Sequence, residues 1–198
     1  MNLPNRLTAA RLVISPLFFI SFMLPTWFGE GLKTLSTVLV LVLFTVNELT
    51  DLLDGKIARS RNLITDLGKV MDPFADVFSR LTYFVCLMNA GIMPVLAFII
   101  ILWRELGILF VRMLMMGRGK AVPANIFGKS KAVLYAVCGV CGIILHALNT
   151  WCAGSQWLEV CAVVMNILFY LAAFASAASF MTYIAFIRRD GALRNLTR

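Results

Sequence analysis

The chain has 198 residues, 61% of them hydrophobic and only 14% charged, with a mean hydropathy of +0.88. That balance excludes an ordinary water-soluble domain, which at this length needs far more polar surface. The net charge is +8, but the basic residues sit at the ends of apolar segments, which points to anionic headgroups and phosphorylated substrates and away from nucleic acid.

A hydrocarbon core demands about 20 mainly apolar residues of a helix. The first segment to qualify is Thr8–Trp27. It runs on through Phe22 and Trp27 without a small-x-small cleavage pattern, so it reads as a retained span and not a signal peptide. Leu32–Thr50 follows, then Pro73–Ala90, Pro94–Met116, Ala132–Thr150 and Leu158–Ile187. The last is longer than a span requires, so it is expected to tilt or to pass the interface. The Lys56–Lys69 connection is too polar to cross the membrane and too short for a separate domain. An interfacial helix or ordered loop is expected there. The expectation is an all-α polytopic membrane protein of six transmembrane helices, in a single domain spanning residues 1–198.

The connections alternate in charge. Arg6 and Arg11 precede or open the first span, and Lys56, Arg59, Arg61 and Lys69 lie between the second and third. Arg118, Lys120, Lys129 and Lys131 lie between the fourth and fifth, and Arg188, Arg189, Arg194 and Arg198 end the chain. The other three connections together hold one basic residue, Lys33. Because basic loops stay on the cytoplasmic side, both termini are expected there, in the cell (inner) membrane.

Of ten acidic residues, five fall between Asp51 and Asp76. Asp51 and Asp54 are three apart at the end of the second span, and Asp72 and Asp76 are four apart at the start of the third. Each spacing puts both carboxylates on one helical face. Four anions close together raise one another's pKa values unless cations sit among them, some are protonated, or they point apart. Oxygen ligands without His or Cys favour Mg²⁺, Mn²⁺ or Ca²⁺ over zinc. Ordinary membrane-edge charges paired with Lys and Arg would account for an isolated Asp, but repeated helical spacing of ionisable groups argues for function. Gly55 directly follows Asp54 and permits close approach of a ligand. Arg59, one turn on, can fork onto phosphate oxygens.

The string Asp51-x2-Asp54-Gly55-x2-Ala58-Arg59-x8-Gly68-x3-Asp72-x3-Asp76 resembles the signature of the CDP-alcohol phosphatidyltransferase family at every fixed position. The resemblance implies a six-helix membrane fold, usually a homodimer, with two divalent metal ions, Mg²⁺ or Mn²⁺. It implies that Asp51 and Asp72 bridge both metals, that Asp54 and Asp76 complete one site each, and that Asp76 is the catalytic base toward the acceptor hydroxyl. Gly55, Arg59 and Thr65, with Ala58, Gly68 and the N-terminal Asn5, Thr8 and Arg11, are the implied binding residues for the donor, CDP-diacylglycerol.

Within the family, several stretches are similar to the branch whose acceptor is sn-glycerol 3-phosphate, the phosphatidylglycerophosphate synthases. These are Leu3-Pro4-Asn5-Arg6-Leu7-Thr8 with Arg11, Thr65-Asp66-x-Gly68-Lys69, Asp72-Pro73-x-Ala75-Asp76, Arg104-Glu105, Arg112 and Gly128-Lys129-x-Lys131. A phosphorylated acceptor needs cations near the metal site, and Arg112, Lys129 and Lys131 are the candidates, although the sidedness of basic residues alone explains the two lysines. Arg104 and Glu105 lie deep in an apolar segment, where pairing with each other or across helices is expected, with Arg80 a further partner for Glu105 or Glu48. Val77, Ala132 and Tyr135 depart from that branch, which commonly has Lys, Thr and Gln there. Acceptors such as inositol phosphate, phosphatidylglycerol or an amino-alcohol are the alternatives.

A divalent-cation transporter would also carry membrane acids, but it would line a path toward the midplane with them. Here they crowd one edge among Arg and Lys. Cys138 and Cys141 form a CxxC without a second pair, which reads as packing and not metal binding. His146 falls near the far side of the membrane, and Trp27, Trp151 and Trp157 read as interface anchors.

Overall fold

The computed structural model describes residues 2–60, 66–116 and 126–189. Within these, the side chains at 54, 55, 58–60, 66, 69, 114–116, 126–130, 183 and 185–189 lie outside the description. The described residues form six α-helices and no strand: α1 (Leu3–Phe28), α2 (Lys33–Ser60), α3 (Asp66–Asn89), α4 (Val95–Met116), α5 (Ile126–Trp151) and α6 (Trp157–Arg189). The chain is an all-α polytopic membrane protein. α1, α2, α5 and α6 are long and apolar enough to cross a bilayer. α3 and α4 have comparable length, but Asp72, Asp76 and Arg80 interrupt the one and Arg104, Glu105 and Arg112 the other.

The helices overrun the expected spans because charged residues extend them past the apolar stretch. α2 continues to Ser60 and α3 begins at Asp66, so Asp51, Asp54, Asp72 and Asp76 all stand on two long helices. No separate interfacial helix occurs between them among the described residues.

Local sequence explains the ends. Asn2 caps α1 by accepting the backbone N–H of Asn5 at 3.1 Å, and Pro4 occupies the first turn, where its missing N–H costs nothing. α1 stops at Gly29, whose φ of 105° a side chain would strain, with its N–H closing onto the Pro25 carbonyl. Between α3 and α4 the chain reverses through Gly91 at φ 72°, where the N–H groups of Ile92 and Met93 both return to the Leu87 carbonyl.

α1 packs chiefly on α2 and α3, while α6 packs on α5 and α4. The core between these halves is aromatic. Phe84 meets Tyr83, Tyr135 and Phe169 edge-on, at centroid distances of 5.3, 5.8 and 5.6 Å, the favoured geometry for ring quadrupoles. The periphery is also apolar: Val13, Trp103, Val160 and Phe174 are all exposed. A soluble protein would hide such a surface, whereas lipid solvates it.

Trp27, Trp151 and Trp157, all exposed, stand at ends of α1, α5 and α6, as interface anchors should. His146 packs on Phe22 with ring centroids 4.9 Å apart and planes tilted by 33°.

Candidate active site

Three helices build the site. α1 enters with Thr8 and Arg11 one turn apart and fully buried, α2 brings Asp51, and α3 brings Asp72 and Asp76. One guanidinium nitrogen of Arg11, Nη1, donates to Oδ1 of Asp51 and, at 2.5 Å, to Oδ1 of Asp76. The carboxylates of the second and third helices therefore converge within hydrogen-bond reach of a single positive atom. The exposures show the direction of approach. Arg11 is 2% exposed beneath them, whereas Asp51 and Asp76 are 43% and 39% exposed, so both side chains are reached from the open side.

Asp72 is held from below in the same manner. Thr8 Oγ1 donates to Asp72 Oδ1 at 2.6 Å, with the Pro4 carbonyl at 3.2 Å as the weaker competing acceptor. A hydroxyl bonded to a carboxylate is a charge-assisted contact, and it fixes the carboxyl rotamer. Gly68 is buried one turn ahead of Asp72, and Asn5 is buried one turn before Thr8.

A polar file beneath the acids was not anticipated from the sequence. Ser15 Oγ lies 2.8 Å from Ser79 Oγ, and Ser79 donates to Asn47 Oδ1 at 3.3 Å, tying α1, α3 and α2 together. Its signal was the occurrence of three polar residues, Ser15, Asn47 and Ser79, each about one turn deeper than an active-site residue of the same helix. Above the file, a cavity of about 20 Å³ is lined by Arg11, Asn47, Glu48, Asp51, Asp76, Ser79, Arg80 and Tyr83. It accommodates about one ordered water, since a single water occupies roughly 10–15 Å³ on this measure. Glu48 thus faces the same recess as Asp76 and Arg80.

A second charged cluster lies between α4 and α5. Glu105 Oε1 accepts from Arg104 Nη1 at 2.8 Å and from Lys131 Nζ at 2.5 Å, and all three side chains are buried. Arg104 also donates to Ser179 Oγ of α6 at 3.1 Å. The pairing expected for Arg104 and Glu105 is present, and Lys131, expected at the acceptor phosphate, joins it. Arg112 is exposed on α4. Thr65 lies outside the described residues, as do the side chains of Asp54, Arg59 and Lys129, so the structure does not place these candidates.

The donor set suits a hard divalent cation. Asp51, Asp72 and Asp76 offer oxygen only, and two of them already meet about one positive atom. Among the described residues no three acidic, His or Cys side chains close on one point, and the side chain of Asp54 is outside that set. Asp51, Asp72 and Asp76, with Asp54, are the residues that would hold the ions.

Comparison with known proteins identifies the family. The profile of the CDP-alcohol phosphatidyltransferase family matches residues 1–175. A CDP-diacylglycerol–glycerol-3-phosphate 3-phosphatidyltransferase of Treponema pallidum is 33% identical over 190 residues, covering 93% of this chain and 88% of that protein. The protein of the same name from Bacillus subtilis is 32% identical over 152 residues, covering 74% of this chain and 78% of its own. A third, from Rickettsia bellii, is 28% identical over 184 residues, covering 92% and 93%.

Proposed function

Because the chain belongs to the CDP-alcohol phosphatidyltransferase family, we propose that it transfers a phosphatidyl group from CDP-diacylglycerol to sn-glycerol 3-phosphate, releasing CMP. The observation that carries this reading is the convergence of Asp51 and Asp76 on one nitrogen of Arg11 while both side chains stay partly exposed. The names of the similar proteins support the choice of acceptor.

In this reading Asp76 accepts the proton of the acceptor hydroxyl, and the oxygen attacks the phosphorus bonded to diacylglycerol. The bond from that phosphorus to the CMP oxygen breaks, and CMP leaves with its negative charge. When bound at Asp51, Asp54, Asp72 and Asp76, two Mg²⁺ or Mn²⁺ ions would offset the charge of the pyrophosphate and the departing CMP. Thr8 fixes the rotamer of Asp72, and Arg11 keeps Asp51 and Asp76 from repelling each other apart. Arg59 and Thr65, with Asn5, Gly55, Ala58 and Gly68, bind the CDP portion. Lys131, with Lys129 and Arg112, attracts the acceptor phosphate.

The sided distribution of basic residues supports cytoplasmic termini and an active site on the cytoplasmic face of the cell membrane. Family membership supports a homodimer of single-domain protomers. The test is direct: purified protein is incubated with CDP-diacylglycerol, Mg²⁺ or Mn²⁺ and a panel of alcohols, and CMP is followed. Release with sn-glycerol 3-phosphate is expected. Silence with every alcohol overturns the enzyme reading, and release only with an unphosphorylated alcohol removes both the acceptor and its Arg112–Lys129–Lys131 pocket.

A further inference from the structure

Asp76 and Arg80 stand one turn apart on α3, with the acid nearer the helix N-terminus, the order that favours an ion pair along a helix. Both line the recess beneath the site. Yet among the described residues the ion pair of Asp76 is with Arg11, and none joins it to Arg80. A contact that the spacing makes easy is withheld, and the surroundings of Arg80 show how.

The Tyr83 side chain hydrogen-bonds to both Glu48 and Arg80, and all three line the same recess. A guanidinium only donates and an ionised carboxylate only accepts, so Arg80 donates to the Tyr83 oxygen and the Tyr83 hydroxyl donates to Glu48. The buried Tyr83 ring meets Phe44 and Phe84 edge-on, with centroids 5.3 Å away in each case, which fixes the bridge. The Tyr135 ring takes a face of Arg80, whose guanidinium carbon lies 5.4 Å from the ring centroid. Besides Asp76, Glu48 and Glu105 attract Arg80. Glu105 already accepts from Arg104 at 2.8 Å and from Lys131 at 2.5 Å, so Glu48 is the acid left to balance Arg80.

We propose that Glu48 is a positioning residue for Asp76: through Tyr83 it holds Arg80 aside, so that the Asp76 carboxylate is left to Arg11, the metal ion and the acceptor hydroxyl. The proposal rests on the function argued above, and it gives a role to an acid that stands one turn before Asp51, outside the family signature. A second guanidinium on Asp76 would occupy oxygens that the ion and the hydroxyl need, in a bond strong enough to compete with both. Glu48 opposes that capture by charge, Tyr83 by a directed bond, and Tyr135 by its ring face. Without the charge of Glu48, the carboxylate one turn away on the same helix becomes the favoured partner of Arg80.

The test is a double-variant cycle on the full-length protein in mixed micelles: Glu48→Gln, Arg80→Gln and the two combined. Two quantities are read for each protein, CMP release at saturating substrates and the rise of the unfolding midpoint on adding Mg²⁺. Glu48→Gln keeps the shape of the side chain and removes its charge. Its turnover is expected to fall about tenfold, the scale of one competing hydrogen bond to a charged group, with both KM values near wild type. Its midpoint should rise less with Mg²⁺ than that of the wild type. Adding Arg80→Gln removes the competitor, so the combined variant is expected to regain most of both losses. A packing role for Glu48 gives the opposite result, since deleting a second member of one network does not restore activity. A Glu48→Gln protein with wild-type turnover overturns the proposal, and so does a combined variant no more active than Glu48→Gln. If Glu48→Gln does not fold, Tyr83→Phe, which keeps the ring and removes the bridging hydroxyl, is compared with and without Arg80→Gln by the same criteria. A wild type that releases no CMP with any alcohol strikes instead at the function assigned above. The midpoints then decide the proposal alone, and equal responses of wild type and Glu48→Gln to Mg²⁺ overturn it.

Discussion

Thr8 of the first helix donates to Asp72 of the third across 64 positions of sequence, at 2.6 Å. A hydroxyl on the innermost part of α1 thereby sets the carboxyl of a residue that the chemistry needs at a defined angle. Thr8→Val keeps the shape and removes the donor. The expected result is a rise of about tenfold in the Mg²⁺ or Mn²⁺ concentration giving half-maximal activity, matching loss of one charge-assisted hydrogen bond. Activity measured over a metal titration checks it, and Thr8→Ser should recover most of the loss.

Arg11 is the cation between Asp51 and Asp76. Arg11→Met leaves two carboxylates facing each other over an apolar side chain. In chelator the variant is expected to lose about 2 kcal/mol of stability, the scale of stranding groups that had been hydrogen-bonded to a charge. Added Mg²⁺ should raise its unfolding midpoint more than it raises that of the wild type, because the ion then supplies the missing positive charge. Thermal unfolding with and without Mg²⁺ makes the comparison.

Asp76→Asn keeps the size of the side chain and removes its basicity. Turnover is expected to fall by at least about 10²-fold, the usual contribution of a positioned general base. Donor binding and the unfolding midpoint should remain near wild type. Near-normal CMP release by the purified variant would remove Asp76 from the role of base.

Glu105 holds Arg104 and Lys131 in the interior. Glu105→Leu strands both cations, and breaking such a cluster from one side costs about 3–5 kcal/mol. The expected outcome is poor recovery from the membrane and a sharply lowered midpoint, with Glu105→Asp intermediate. A Glu105→Leu protein as stable as wild type would show that the buried pairs contribute little.

The legibility of the molecule in its sequence was uneven, for physical reasons. Helices and lipid-facing surfaces were readable because hydropathy alone decides them in a bilayer. The convergence of α2 and α3 followed from carboxylates at helical spacing near a shared connection. The partners of those carboxylates did not follow. Arg11 and Thr8 are polar residues at the start of an apolar segment, and nothing in their spacing tells that they turn inward beneath Asp51, Asp72 and Asp76. Glu105 and Lys131 are 26 positions apart on different helices. Their union required knowing how α4 and α5 are brought together by their shared packing on α3 and α6, which periodicity does not set. Ser15, Asn47 and Ser79 were legible only as isolated polar residues until three helices were brought together.

The dependence of the site on α1 also bears on how the protein is made. Arg11 leaves the ribosome well before either of its partners, so its charge must wait at the membrane edge until α3 has been inserted. The buried position becomes tolerable only once Asp51 and Asp76 arrive to surround it. Assembly of the reaction centre is therefore a late event that locks the first helix against the third. A protein shortened by its first dozen residues would still thread its remaining helices into the bilayer, yet it would never close the floor of the site.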